Sequence, residues 1–254
     1  MDISKIKSRL NQLQSTNTSN SFWKPPSGKT QIRIVPYKYN KDNPFVELFF
    51  HYGLGNNKTY LSPASFGKPD PVEDFANKLK SAGNKDEWIQ GKRLEPKMRT
   101  YAPVVVRGEE HEGVKWYGFG KTVYQELLGV IADPDYGDIT DPTMGRDIVV
   151  DRQSPAEAGN QYGKTSIRVK PNQTPLTENK ETLQKVIDSQ TKLEELWEEP
   201  TYDDLKEALH KFLNPSDNDS NEEVASTVPS NGSANMTAKT VNKVDDAFDE
   251  LFNN

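Results

Sequence analysis

Residues 97–121 read KMRTYAPVVVRGEEHEGVKWYGFGK, and this stretch decides the fold that we expect. An apolar β-branched run, a polar turn bounded by Gly108 and Gly113, and a second aromatic run are typical of a β-hairpin. Because side chains alternate across a strand, the pattern predicts one mostly aliphatic face and one basic and aromatic face. The basic and aromatic face carries Arg99, Tyr101, Arg107, Lys115, Tyr117, Phe119 and Lys121.

Such a face suits a single-stranded nucleic acid, because rings stack on bases while cations lie along the phosphates. The ordinary alternative is a surface hairpin with half-buried aromatic side chains and solvated charges. The hairpin alone leaves both interpretations open, so the rest of the chain has to separate them.

Composition narrows the class of protein. Of 254 residues, 33% are hydrophobic and 28% are charged, which predicts that part of the chain lies outside any packed core. The absence of cysteine excludes disulfides and thiolate metal sites. No apolar run approaches the roughly 20 residues that span a bilayer, and the N-terminus lacks the apolar stretch of a secretory signal. We therefore expect a soluble intracellular protein with no membrane partner.

The net charge of −6 conceals an asymmetry along the chain. Residues 1–170 carry 25 Lys and Arg against 20 Asp and Glu, whereas residues 171–254 carry 7 against 18. This split predicts a basic binding body followed by an acidic tail. The alternative is a solvated, acidic helical end that has no role in binding a partner.

The order of predicted elements indicates a mainly β fold with α additions. Short strands are predicted near 31–35, 45–52, 147–151 and 166–170, besides the hairpin, and helical spacing marks Val72 to Leu79 and the residues after Thr122. This pattern favours an OB-fold core, a five-stranded Greek-key barrel with a helical insertion. A helical segment follows Pro175, and the polar composition of 214–242 predicts a disordered linker.

Both ends of the chain carry short amphipathic segments. Residues 1–21 form a predicted basic arm, the core is predicted at 22–213, and residues 243–254 form a tail tip. In the tip, Phe248, Leu251 and Phe252 fall at positions i, i+3 and i+4, which is typical of a peptide that folds on a partner's basic groove. The acidic residues beside them are Asp245, Asp246 and Asp249.

Motifs for catalysis are missing from the sequence. There is no phosphate-binding glycine loop and no nucleophile elbow, and His51, His111 and His210 have no partner at metal-ligand spacing. We therefore predict that the protein is not an enzyme. A hydrolase whose carboxylates assemble from separate loops is the weaker alternative, and metal-dependent cleavage of DNA would reveal it.

Several sequence blocks carry a resemblance to a known family. Trp23-Lys24, QIRIVPYK (31–38), NPFVELFFHYG (43–53) and TYAPVVV…EGVKWYGFGK (100–121) occur in an order that resembles the single-stranded DNA-binding (helix-destabilising) proteins of T-even-type tailed phages. The resemblance covers residues 22–170. It implies an OB-fold core that binds single strands cooperatively with little sequence preference, a basic arm that contacts the neighbouring protomer, and an acidic tail that recruits phage replication and recombination proteins.

The resemblance also implies roles for particular residues. Tyr101 and Tyr117 match DNA-stacking tyrosines, Lys97 matches a basic DNA-binding position, and Tyr162, beside Lys164 in the loop 153–165, matches a further aromatic. The residues that match the self-association motif of the arm are Lys5, Lys7, Ser8 and Arg9. Pro96 and Met98 replace basic residues of the family, so we expect either a lower affinity for DNA or a supply of that charge by Arg99 and Arg107.

The founding members of this family carry a zinc site of one histidine and three cysteines. His51 keeps the histidine position, but this chain has no cysteine. We therefore predict no zinc and no other cofactor, with the helix from Val72 to Leu79 and apolar contacts holding the insertion.

These observations predict a single-stranded DNA-binding protein that acts in phage DNA replication, recombination and repair, in the cytoplasm of the infected bacterial host. The alternative is an OB-type protein-binding adaptor with no affinity for nucleic acid.

Overall fold

A computed structural model of the protein describes residues 21–54, 58–81, 84–214, 248 and 250–252, except the side chains of residues 180 and 182. The strands are β1 Phe22–Trp23, β2 Gly28–Ile34, β3 Val46–Leu54, β4 Lys58–Leu61, β5 Lys97–Val106, β6 Lys115–Phe119, β7 Arg146–Gln153 and β8 Lys164–Gln173. The helices are α1 Pro71–Ser81, α2 Lys85–Leu94, α3 Lys121–Ile131, α4 Pro155–Ala158, α5 Lys180–Asp188 and α6 Tyr202–Leu213. A mainly β fold with several helices is thus confirmed.

Contacts group the described residues into two compact units. Unit 1 contains residues up to Glu47 and Arg99–Trp197, and unit 2 contains Leu48–Met98 together with the described residues from Glu198 onward. The boundaries at 47/48 and 98/99 fall inside β3 and β5. The core predicted at 22–213 therefore spans both units. The predicted helical insertion belongs to unit 2, which has a separate hydrophobic cluster.

Unit 1 is built on a β-sheet. Strand β5, the first strand of the predicted hairpin, lies inside this sheet between β6 and β2. The strand order is β1-β6-β5-β2-β7-β8. The β5–β6 pairing runs from Thr100 opposite Phe119 to Val104 opposite Lys115, so the hairpin is confirmed. Every neighbouring pair on this path is antiparallel except β1 with β6. The five-stranded Greek-key barrel stays a prediction.

Unit 2 packs helices α1, α2 and α6 with the β3–β4 hairpin. Its buried cluster comprises Leu54, Val72, Phe75, Ala76, Leu79, Leu94, Leu205, Leu209, Leu213 and Phe248. Helix α1 confirms the helix predicted from Val72 to Leu79. Helix α2 was not predicted, because its sequence KDEWIQGKRL buries only Glu87, Gly91 and Leu94.

Gly91 explains how a helix with so little apolar surface packs. A Cβ atom at this position would lie 2.5 Å from the backbone oxygen of Ala76 on α1. The absence of a side chain therefore lets α2 approach α1 at backbone distance. None of the helices within the described ranges combines the length and the apolar character that crossing a bilayer requires.

Candidate nucleic-acid interface

Two exposed arginines of unit 1 act electrostatically on the same buried tyrosine. Arg99 lies near the start of β5 and Arg152 near the end of β7, and both are exposed. Burial raises the pKa of Tyr117 to about 12, and the positive charges of Arg99 and Arg152 oppose this rise. Both guanidinium groups are therefore close enough to act on the same phenol.

Backbone carbonyls hold the two guanidinium groups in place. Arg99 Nη2 donates to the oxygen of Gly118 at 2.8 Å, and Arg152 Nη1 donates to the oxygen of Pro25 at 3.3 Å. Tyr117 is fixed between its strand neighbours Ala102 on β5 and Trp23 on β1. A guanidinium carries five N–H donors, so an arginine held by one carbonyl keeps donors for a phosphate.

Further exposed cations lie near one or the other of these arginines along the chain or in the strand register. The strand register places Gln153, next to Arg152, opposite Lys164, and it places Thr100, next to Arg99, opposite Phe119 and so close to Lys121. We call the following set the basic rim: Lys24, Arg99, Lys121, Arg152 and Lys164. Tyr162, two residues before Lys164, is 64% exposed. The rim thus combines cations with one open ring.

The prediction of an open aromatic face on the hairpin is wrong for this structure. Tyr101 is 8% exposed, and Tyr117 and Phe119 are each 3% exposed. The reason is that β5 lies inside the sheet, between β6 and β2, and is buried on both faces from Thr100 to Val106.

Other aromatic side chains cover the two predicted stacking tyrosines. The Tyr101 ring centroid lies 5.9 Å from that of Phe22 and 5.1 Å from that of Trp197. The Tyr117 ring lies 4.9 Å from Trp23 in an edge-to-face arrangement. We call these packed rings the aromatic floor, and in this structure they do not present their faces to a base.

Arg107 also departs from its prediction as an open DNA contact. Its Nε and Nη2 donate to Asp147 Oδ1 at 3.0 and 2.8 Å, and its other bonds go to the backbone oxygens of Pro175 and Leu176. Arg33, fully buried, donates to the same carboxylate. Burial raises the pKa of Asp147, but Arg107 and Arg33 outweigh that effect and hold it below its ordinary value. Arg107 therefore belongs to an internal ionic network.

The remaining predicted cations lie in different settings. Lys115 forms an ion pair with Glu112 across the hairpin turn. Lys97 is exposed in unit 2, where its Nζ donates to the backbone oxygen of Lys92. Sequence reasoning missed Arg152, although it directly follows the strand predicted at 147–151. Whether any of these residues contacts DNA stays a prediction.

The predicted residues at the two ends of the chain are only partly described. Lys5, Lys7, Ser8 and Arg9 of the arm lie outside the described residues, as do Asp245, Asp246 and Asp249 of the tail tip. Phe248, Leu251 and Phe252 are described and helical, and the two phenylalanines pack in or against the hydrophobic cluster of unit 2.

His51 lies in a buried hydrogen-bond network of unit 2. Its Nδ1 is 2.9 Å from the backbone oxygen of Leu94, and its Nε2 is 2.8 Å from Asp70 Oδ2. Ser62 also donates to that carboxylate oxygen. The ring nitrogens of His51 thus face two oxygen atoms, one from a backbone carbonyl and one from a carboxylate. Burial raises the pKa of Asp70, but the hydrogen bonds from His51 and Ser62 outweigh it, and the pKa is lowered.

This network does not fit the zinc site of the founding family members. Both ring nitrogens of His51 are directed at hydrogen-bond partners, so neither faces a metal. In the described part of the chain, no three His, Asp or Glu side chains are arranged to hold a metal ion. The absence of zinc from the protein stays a prediction.

A β-sheet rim with clustered exposed arginine and lysine side chains defines this chain as a candidate nucleic-acid-binding protein. A family model described as gp32 DNA binding protein like matches residues 26–214. Because this match covers most of the chain, the protein belongs to the gp32-like family of single-stranded DNA-binding proteins, as the resemblance predicted. No curated protein matches the chain.

Proposed function

We propose that this protein coats single-stranded DNA cooperatively and without sequence preference during phage DNA replication, recombination and repair. The observation that carries the proposal is that two exposed cations, Arg99 and Arg152, both act on the buried phenol of Tyr117, in a chain of a DNA-binding family. The protein acts in the cytoplasm of the infected bacterium and performs no catalytic step.

The basic rim supplies the main attraction for DNA. Each phosphate neutralised by a cation releases counterions, which makes binding weaker at higher salt and gives a slope of about −0.7 per phosphate on single strands. Backbone contacts of this kind carry no base preference. Binding through the rim is therefore salt-dependent and tolerant of sequence.

Stacking selects single strands over duplex. Tyr162 is open to a base in this structure, and a stacked base contributes about 1–3 kcal/mol. Tyr101 and Tyr117 stack only if Phe22, Trp23 and Trp197 move away when DNA binds. Because duplex bases keep their faces paired and stacked, a duplex offers nothing to these rings.

The two ends of the chain complete the proposed function. The basic arm, with Lys5, Lys7 and Arg9, contacts the next protomer along the strand. The acidic tail tip recruits replication and recombination proteins. Both roles come from the resemblance, and the charge asymmetry of the chain supports them.

Titration of tryptophan fluorescence tests the proposal. Trp23 lies against Tyr117, so its emission should respond to oligo-dT at low salt, less at high salt, and not to a matched duplex. Arg152→Glu and Arg99→Glu should each weaken oligo-dT binding about tenfold and lower the magnitude of the salt slope by about 0.7. Arg93→Glu, an exposed charge reversal on α2, is the matched control and should change neither.

Equal effects of all three substitutions would show that the rim is not the DNA site. Absence of any response to either nucleic acid would instead favour the protein-binding adaptor.

A further inference from the structure

The C-terminal end of the chain is docked on unit 2. Phe248 is 5% exposed and belongs to the hydrophobic cluster of this unit. Its ring lies 6.0 Å from Phe75 on α1 and 5.5 Å from His210 on α6. Phe248 belongs to the predicted tail tip. This part of the tail tip thus fills part of the hydrophobic core of unit 2.

Phe252 packs on the same side of the terminal helix. Its ring lies 4.7 Å from Phe248 and 6.4 Å from Tyr202 at the start of α6. Residues four apart share one face of a helix, which explains why both rings reach unit 2. Leu251, which lies between the two phenylalanines in the sequence, is 38% exposed.

Charges on α1 and α6 complement the docked segment. Lys78 Nζ lies 2.9 Å from Glu250 Oε2. Lys206 Nζ donates to the backbone oxygen of Phe252 at 3.1 Å and lies 5.3 Å from the centroid of its ring. Unit 2 therefore contacts two rings, a carboxylate and a backbone carbonyl of this segment together.

We propose that α1 and α6 form a docking site for an acidic helical peptide with two phenylalanines four residues apart, and that the chain's own C-terminal end occupies it. A partner that binds the Phe248 and Phe252 face must compete with this site, because a buried ring is not available to a second surface. The partner's apparent affinity for the tail equals its intrinsic affinity multiplied by the fraction of tails that are undocked. Docking of the tail on its own chain therefore limits how readily the tail binds a partner protein.

The docking of the tail on unit 2 does not depend on DNA binding. Only the effect of docking on partner recruitment rests on the proposed function. The test uses a fluorescent peptide of residues 243–254, with anisotropy read against the full chain in the absence of DNA. Phe248→Ala in the chain should vacate the site, so the labelled peptide should bind that variant about tenfold or more tightly than the wild type. A peptide that carries Phe248→Ala should bind neither chain.

Equal binding of the wild-type peptide to both chains, or binding to neither, would overturn the proposal. A chain that fails to bind oligo-dT but shows this difference would refute the proposed function and leave the docking site intact.

A charge exchange tests the docking without removing a core side chain. Glu250→Lys should accelerate amide hydrogen exchange at residues 248–252 about threefold or more, since local opening controls exchange. Adding Lys78→Glu should restore protection by rebuilding the ion pair in reverse. Glu207→Lys, which reverses an exposed charge on α6 paired with Lys211, should leave the exchange unchanged. Failure of the double variant to regain protection would contradict the assigned pair.

Discussion

The ring of Tyr101 covers Gly118 on the neighbouring strand of the hairpin. The two residues are directly paired, and a Cβ atom at position 118 would lie 2.6 Å from Cε1 of Tyr101. Gly118 also accepts the hydrogen bond of Arg99 through its carbonyl oxygen. Gly118 therefore makes room for the ring of Tyr101 and also holds the guanidinium group of Arg99.

Gly118→Ala should destabilise unit 1, because the added methyl group forces the Tyr101 ring out of its packing against Phe22 and Trp197. Overpacking of this kind costs about 1–3 kcal/mol in the free energy of unfolding. Urea denaturation followed by tryptophan fluorescence measures it. Gly129→Ala is the matched control, since a Cβ atom there meets nothing within 4 Å and alanine favours a helix. Equal stability of both variants would show that Tyr101 moves aside without cost.

Asp147→Asn should be among the most destabilising single substitutions in unit 1. It leaves Arg33 and Arg107 without their shared carboxylate, and breaking a buried ion pair costs about 3–5 kcal/mol. The midpoint of chemical denaturation checks this expectation. Asp151→Asn removes a carboxylate of the same strand that lies 3.9 Å from Lys29 near the surface, and it should cost less than about 1 kcal/mol.

Acid should destabilise unit 2 through Asp70. Its pKa in the folded protein is lowered, so its contribution to stability is complete above the unfolded pKa of about 3.9 and is lost as the pH falls through the folded pKa. Asp70→Asn should therefore be less stable than the wild type at neutral pH and show a shallower loss below about pH 4. Thermal unfolding measured across this pH range provides the comparison.

Asp74→Asn is the informative control for Asp70. Burial and the neighbouring charge of Asp70 raise the pKa of Asp74, so its ionised form is disfavoured in the folded protein. Removing that charge should leave stability at neutral pH unchanged or slightly increased. A parallel loss in both variants would assign the effect to general charge on α1 and not to the His51 network.

Removing residues 243–254 should raise the apparent affinity for single-stranded DNA at low salt. This segment carries four carboxylates against one lysine, and its negative charge competes with DNA for cations. Salt titrations of the full and shortened chains measure the difference, which screening should erase at high salt. Phe248→Ala keeps the charges and should not reproduce the gain. Superimposable titrations of the two chain lengths would refute the competition.

Local patterns predicted much of the fold. The β5–β6 hairpin, α1 and α6 were all visible in periodicity and turn residues, because each element depends on neighbours within a few positions of the chain. The helical segment predicted after Pro175 was less exact, since helix α5 ends at Asp188 and a short 3-10 helix covers Leu193–Leu196.

The candidate site was harder to predict from the sequence. Alternation put Arg99 and Tyr117 on one open face, but Tyr117 is buried, and alternation could not indicate that Arg107 would bind Asp147, 40 residues away. The alternation of side chains also could not show that the charge of Arg152 would act on the Tyr117 phenol. Such pairings depend on strand order, which is a property of long-range contacts.

The sequence by itself determined the family, the hairpin and the charge asymmetry, since each is a matter of residue type and spacing. Only the tertiary structure decided which rings are covered and where Phe248 is buried. The physical reason is that burial depends on what the rest of the chain packs against a residue. A strand flanked on both sides loses its exposed face, and an amphipathic tail binds whichever apolar surface lies within reach.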